Sequence, residues 1–340
     1  MSKSGSFSTT ITSLFITAAI SLLLIWIMLE RVSTSDRIKQ EIGKLQKYLV
    51  ESGYDMSYEE LNFSKLPFFT ILTVKDLKIY SQDSNDYFEW HIPELRIDPD
   101  LFSLNKLSFK LSDEQTFQKG TEVYNAKFPR LSLTASFNKA SGLNNISLVA
   151  RGLDIDRLFS IEEIKFASQR MSPQTISELT PFFESHMEMK GLDFASNQEI
   201  PISKRIEHLY FNANIKGVIK DEDSYQKSIS SWLNMGGMIE IKRITMNWEP
   251  LTLVGRGDLY FNEELDPNLH LATSSKGLLE TIDSFQERGM LDNKGVFVSK
   301  VLLGNKAFLL NEKDEHKTVT TPIDLRDDTL SVENVAIKKF

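Results

Sequence analysis

The chain has 340 residues, no cysteine and a formal net charge of −8. That length can bury a sizeable core without covalent staples, and the missing thiols exclude disulfides and thiolate chemistry. Lysines and arginines are spread among the acidic residues, which argues against nucleic acid as a partner, because phosphates need a concentrated positive face.

Residues 1–10 form a short tail with one cation, Lys3. From Ile11 to Leu29 no residue is charged. A helix of that length spans roughly 28 Å, the thickness of a bilayer's hydrocarbon core. Thr12, Ser13, Thr17 and Ser21 are tolerated there because hydroxyls bond back to helix carbonyls. Trp26 sits near one end, where an indole favours the interface. A cleaved signal peptide has a shorter apolar core and a small-residue cleavage site; Glu30, Arg31 and Val32 provide no such site. The expectation is an uncleaved transmembrane helix, with the lipid bilayer as partner through Ile11–Leu29. Arg31, Arg37 and Lys39 follow the span, and the positive-inside rule counted literally keeps the remainder in the cytoplasm. Long domains can be exported despite such a bias, and an exported domain is the reading favoured here, on the resemblance given below.

Residues 30–52 read as an amphipathic stalk. Within them, 36–50 place Ile38, Ile42, Leu45 and Leu49 on one helical face, with Lys39, Lys44 and Lys47 elsewhere and Gly53 as the stop.

Residues 53–340 read as a β-rich exported domain, with a sub-boundary near 221–236. Leu107, Phe109 and Leu111 alternate with Ser108 and Lys110. The same period of two runs through Leu131, Leu133, Ala135 and Phe137, and through Leu209, Phe211, Ala213 and Ile215. Residues 68–80 and 92–97 are further strand candidates. Over 239–248 the apolar phase slips between Ile241 and Ile244, which predicts a bulge near Arg243. Three helices are expected among the strands. The first opens at Ser172 and Pro173 and runs to about Lys190, kinked at Pro181; the others cover 222–235 and 277–288. The expected fold class is therefore mainly β with interspersed helices (α+β): one N-terminal transmembrane helix followed by a long curved antiparallel sheet.

The segment from Gly237 to Leu259 reads as a strand, a tight turn at Glu249 and Pro250, and a second strand, with a helix after Gly277. Upstream stand Ser64, Pro67 and Phe68 before a strand, then Trp90, Pro93 and Leu95, then Pro201, Ile206 and Leu209. In this order, over most of residues 55–340, the chain resembles an uncharacterised family of proteobacterial inner-membrane-anchored proteins. That family is itself similar to the AsmA-like envelope proteins. The chain departs from the pattern at Lys65 and Leu66, where glycine often precedes the proline, and at Glu263 and Glu264. The resemblance implies periplasmic placement and a role in the envelope, with no known activity.

Motifs for chemistry are absent. His91, His186, His208, His270 and His316 show no ligand spacing. Gly255 and Gly257 lie between strands and precede no helix, so they read as a turn or bulge rather than a nucleotide loop. Asp221, Glu222 and Asp223 read as charge at a helix N-terminus, and Asp327 and Asp328 as a turn. Trp90, Trp232 and Trp248 read as packing residues. The terminal Phe340 is reminiscent of outer-membrane barrels, but an uncleaved helix does not fit a barrel. No catalytic, cofactor-binding or metal residue is nominated, and no cofactor. The reading is a membrane-anchored, non-enzymatic envelope protein of unassigned biochemical activity, a module that binds or transfers lipid acyl chains or serves envelope biogenesis. The alternative is an assembly scaffold that binds envelope proteins by strand addition.

Overall fold

A computed structural model describes residues 42–339 except 44–45, 48, 51–52, 67–68, 82–86, 101–102, 139–141, 172–180, 196–199, 201, 218–224, 263–266, 289–299, 302–318, 327–328 and 333–334. The expected membrane helix, both acidic clusters, His316 and Phe340 lie outside the described residues. Among the described residues the chain is mainly β with few helices, and no helix is long and apolar enough to cross a membrane. Contacts divide the chain into two compact units. The first runs to Ser112 and takes in Thr116–Val123 and Thr134–Asn145; the second holds Asp113–Gln115, Tyr124–Leu133 and the chain from Ile146.

In the first unit, β3 (Phe69–Ser81) pairs antiparallel with β1 (Tyr54–Ser57), β2 (Glu60–Leu66) and β4 (Phe88–Asp100). β4 in turn pairs with β5 (Ser103–Leu111) at one end and with β6 (Glu114–Lys119) at the other. Register lines up Phe63, Leu72, Ile97 and Phe109 across β2 to β5, the cross-strand unit of sheet stability. Along β3 the buried residues are Leu72, Val74, Leu77 and Ile79, so the period slips by one. The slip falls at Asp76, whose φ of 50° is left-handed, and His91 Nε2 lies 3.1 Å from its Oδ1. Helical residues precede β1: Ile42 and Leu49 are 4% and 0% exposed, and Gln46 donates to the Met56 carbonyl at 3.1 Å. The predicted apolar helix face is thus turned, at these two positions, into protein.

Three strands follow: β7 (Glu122–Lys127), β8 (Arg130–Asn138) and β9 (Gly142–Ile155). The second unit is a meander in which each strand from β9 onward pairs with its successor. Its members are β10 (Phe159–Arg170), β11 (Pro181–Phe194), β12 (Arg205–Lys216), β13 (Met238–Trp248), β14 (Leu251–Phe261), β15 (Pro267–Lys276), β16 (Val319–Arg326), β17 (Thr329–Val332) and β18 (Val335–Lys339). Among the described residues it is interrupted by α1 (Tyr225–Asn234) and α2 (Leu278–Glu287), close to the second and third helices expected, and Lys300 and Val301 are also helical.

The first expected helix is corrected. Its start lies outside the described residues, and Pro181 opens strand β11 instead of kinking a helix. Phe183, Ser185, Met187 and Met189 alternate with Glu184, His186, Glu188 and Lys190, a period of two, and proline is at home as a first strand residue. The bulge expected near Arg243 is present. Register slips between Asn212 and Ala213 on one side and between Ile241 and Ile244 on the other. Gly255 and Gly257 form no turn: both sit inside β14, paired with Thr273 and Leu271 of β15, and on their other side they face Ile244 and Ile241, across the β13 bulge.

Candidate functional site

Register in the second unit builds one apolar face from several strands. Ile164, Met189, Leu209, Met246 and Leu253 stand in one row across β10 to β14, and Phe166, Met187, Phe211 and Ile244 in the next across β10 to β13. Further rows carry Ala213, Ile241, Leu271 and Ile323, and Phe183, Ile215, Ile239, Leu259, Leu269 and Leu325. At a strand spacing near 4.8 Å, the seven strands β10 to β16 give the face a length of roughly 29 Å.

The face is covered unevenly. Leu278 and Ile282 of α2 pack on Leu251, Leu253 and Val332, with Ile244, Met246 and Ile323 around them. The rows below β14 to β16 contain Gly255, Thr273, Ser275 and Thr321, small residues of which the last three are 1% exposed. Thr273 satisfies its buried hydroxyl by donating to the Thr321 carbonyl at 2.8 Å. From β10 to β13 the side chains are large, and Ile164, Phe166, Met187, Leu209, Phe211, Ile244 and Met246 are only half-buried. Methionine is unbranched and polarizable, so Met187 and Met246 adapt to varied apolar shapes.

Two tryptophans fix the chain beside these strands. Trp248 donates to the Ser203 carbonyl at 2.6 Å and lies 6.3 Å from Phe194, centroid to centroid. Trp232 of α1 donates to the Lys216 carbonyl at 2.7 Å. In the first unit Trp90 stacks on Phe117 at 5.5 Å. All three are packing residues, as expected from sequence.

Ion pairs border the apolar rows and lace the opposite side: Glu162 and Glu207 stand two residues from Ile164 and Leu209 on the same face, whereas Glu163 and Lys165 face away. Arg205 reaches Asp193, Glu162 and Glu207 at 2.5, 2.7 and 2.9 Å, and these partners raise its pKa. Glu163 binds Lys165 at 2.7 Å and Arg151 at 2.6 Å, and these two cations hold its carboxyl down at about 2. A lowered carboxyl pKa gives stability that is present above the unfolded value and lost as pH falls through the folded one. Here the window runs from about 4.5 down to about 2. Glu163→Gln is expected to flatten the acid limb of the stability profile across that window, read from urea midpoints at successive pH values. An unchanged limb would show that the ion pairs do not persist in solution.

The histidines stay apart. His91 faces Asp76, His208 lies 3.2 Å from Glu188, His270 lies 2.5 Å from Asp324, and His186 is exposed. Among the described residues no three His, Cys, Asp or Glu side chains converge as a metal site. The apolar face was missed as a residue-level site in the sequence. Its only signal there is the set of alternating stripes, which do not reveal their mutual register.

Set against known families, residues 32–337 match the family model described as an uncharacterized protein conserved in bacteria, DUF2125. No curated protein matches the chain.

Proposed function

The chain belongs to this conserved bacterial family, and we propose that it is a non-catalytic envelope protein that binds or transfers lipid acyl chains. In this reading Ile11–Leu29 anchors it in the inner membrane, the domain that follows lies in the periplasm, and the second sheet curves around its apolar face as in AsmA-like proteins. The observation that carries the reading is the half-buried row Phe166, Met187, Phe211 and Ile244, continuous across four paired strands. Extended apolar surface that is left partly uncovered marks a binding site more often than a defect. An acyl chain laid across these strands would meet aromatic and methionine side chains without needing a polar contact.

The test is lipid extraction from residues 36–340, which keep the buried helical residues Ile42 and Leu49, purified without detergent and read by mass spectrometry against an unrelated β protein from the same cells. The expected result is phospholipid or free fatty acid enriched at least tenfold. Background levels would remove the support for lipid handling.

A second reading, an assembly scaffold acting by strand addition, draws on β18, the short last strand of the meander, which pairs with β17. Reproducible protein crosslinks at β18 in cells, together with lipid-free domain, would favour this reading over the first.

A further inference from the structure

We infer that the start of the first unit rests on the surface of the bilayer in which the chain is anchored, with Val50 and Tyr58 as its apolar contacts. The inference rests on the membrane anchor proposed above. Three observations carry it. First, Ile42 and Leu49 are buried and Gln46 is bonded to β1 through the Met56 carbonyl, so the helical residues just before β1 are fixed to the unit. They are not a free spacer. Second, the chain between Leu29 and Ile42 reaches at most ~45 Å when fully extended, so the unit cannot move far from the bilayer. Third, two large apolar side chains are exposed on either side of β1 in sequence: Val50 at 43% and Tyr58 at 37%.

The chemistry of these contacts selects the partner. Tyrosine pairs an apolar ring with a hydroxyl and favours the headgroup layer, while valine favours the acyl boundary beneath it. Glu59 and Glu60 follow Tyr58 directly, so attraction to anionic headgroups does not hold this edge down. The contact is apolar, and it should be insensitive to salt. It also gives the anchored chain a fixed attitude, with the β1 end of the unit presented to the lipid from which a ligand would be drawn.

The absence of cysteine makes the test direct. Full-length Val50→Cys, Tyr58→Cys and Val254→Cys are each labelled with an environment-sensitive nitrobenzoxadiazole dye. Each is reconstituted into phosphatidylethanolamine–phosphatidylglycerol vesicles with or without headgroup-nitroxide lipid. Labels at 50 and 58 are expected to be quenched at least twofold over the label at 254, with no change in 0.5 M salt. Flotation without that excess quenching overturns the inference and leaves the anchor standing. Failure to float with the vesicles overturns the anchor and the inference together. Quenching that disappears in salt overturns the apolar contact as its cause.

Discussion

Gly257→Ala is expected to destabilise the second unit by ~3 kcal/mol or more, whereas Gly255→Ala should cost ~1 kcal/mol or less. The two glycines are neighbours on one face of β14, so composition and strand propensity do not separate them. What differs is the obstacle. A Cβ on Gly257 would lie 1.8 Å from the His270 carbonyl oxygen and 2.8 Å from its carbon. These are backbone atoms of the paired strand, and they move away only if the β14–β15 ladder opens. A Cβ on Gly255 would meet the Thr273 Cγ2 at 3.0 Å, the Ile244 Cγ2 at 3.2 Å and the Ala272 carbonyl oxygen at 3.3 Å, contacts that a shift of a few tenths of an ångström relieves. For a unit of this size, each kcal/mol moves Tm by roughly 2–4 °C. Gly257→Ala should therefore lower Tm by roughly 6–12 °C, and Gly255→Ala by no more than about 4 °C. Equal shifts in a thermal melt would show that strand approach at Gly257 is not what demands glycine there. Because β14 supplies Leu251 and Leu253 beneath α2, the Gly257 substitution should also loosen that helix.

The contrast also shows which features were legible in the sequence. Alternation located β8 and β12 because a half-buried strand must send every second side chain to the apolar side. The slip between Ile241 and Ile244 read as a bulge for the same reason: apolar residues on both sides of it must return to one face. The first expected helix failed where two local signals agreed on the wrong answer. Ser172 with Pro173 resembles a helix start and Gly191 a helix stop, while the alternation between Phe183 and Met189 is diluted by Ser185. Gly191 does adopt a left-handed φ of 58°, but inside β11, with the Glu162 side chain packed where its Cβ would be. Gly255 and Gly257 were read as punctuation because a neighbour's backbone is invisible to local sequence. The apolar face is a property of the same kind. Phe166, Met187, Phe211 and Ile244 stand far apart in the chain and become one surface only through the register of three strand pairs. Likewise, nothing near Trp232 or Trp248 in sequence names the carbonyls of Lys216 and Ser203 that their indoles bind.

Trp232 provides the second large effect, and its clearest expression is a cancellation. The side chain is 8% exposed, and its indole donates to the Lys216 carbonyl at 2.7 Å. Trp232→Ala should cost ~3–5 kcal/mol through the cavity it leaves, part of it from the carbonyl that loses its donor. The ring lies on Gly237, where a Cβ would come within 2.3 Å of Trp232 Cε2. Gly237→Ala alone must displace the indole and should cost ~2–3 kcal/mol. Gly237 itself does not need a left-handed backbone, since it is absent from the residues with positive φ. Once the ring is gone, the new methyl group has room. In the Trp232→Ala background, Gly237→Ala should then be neutral or stabilising by up to ~1 kcal/mol. The coupling energy of the double-mutant cycle, taken from urea denaturation, is expected to reach ~2–3 kcal/mol. Gly217 provides the contrast within the same pocket. A Cβ there would lie 2.7 Å from Trp232 Nε1, but its φ of 105° strains any other residue, so Gly217→Ala should remain destabilising with or without the indole. If Gly237→Ala costs the same in both backgrounds, the indole is not what keeps that position a glycine, and α1 must be held to the β12–β13 end by other contacts.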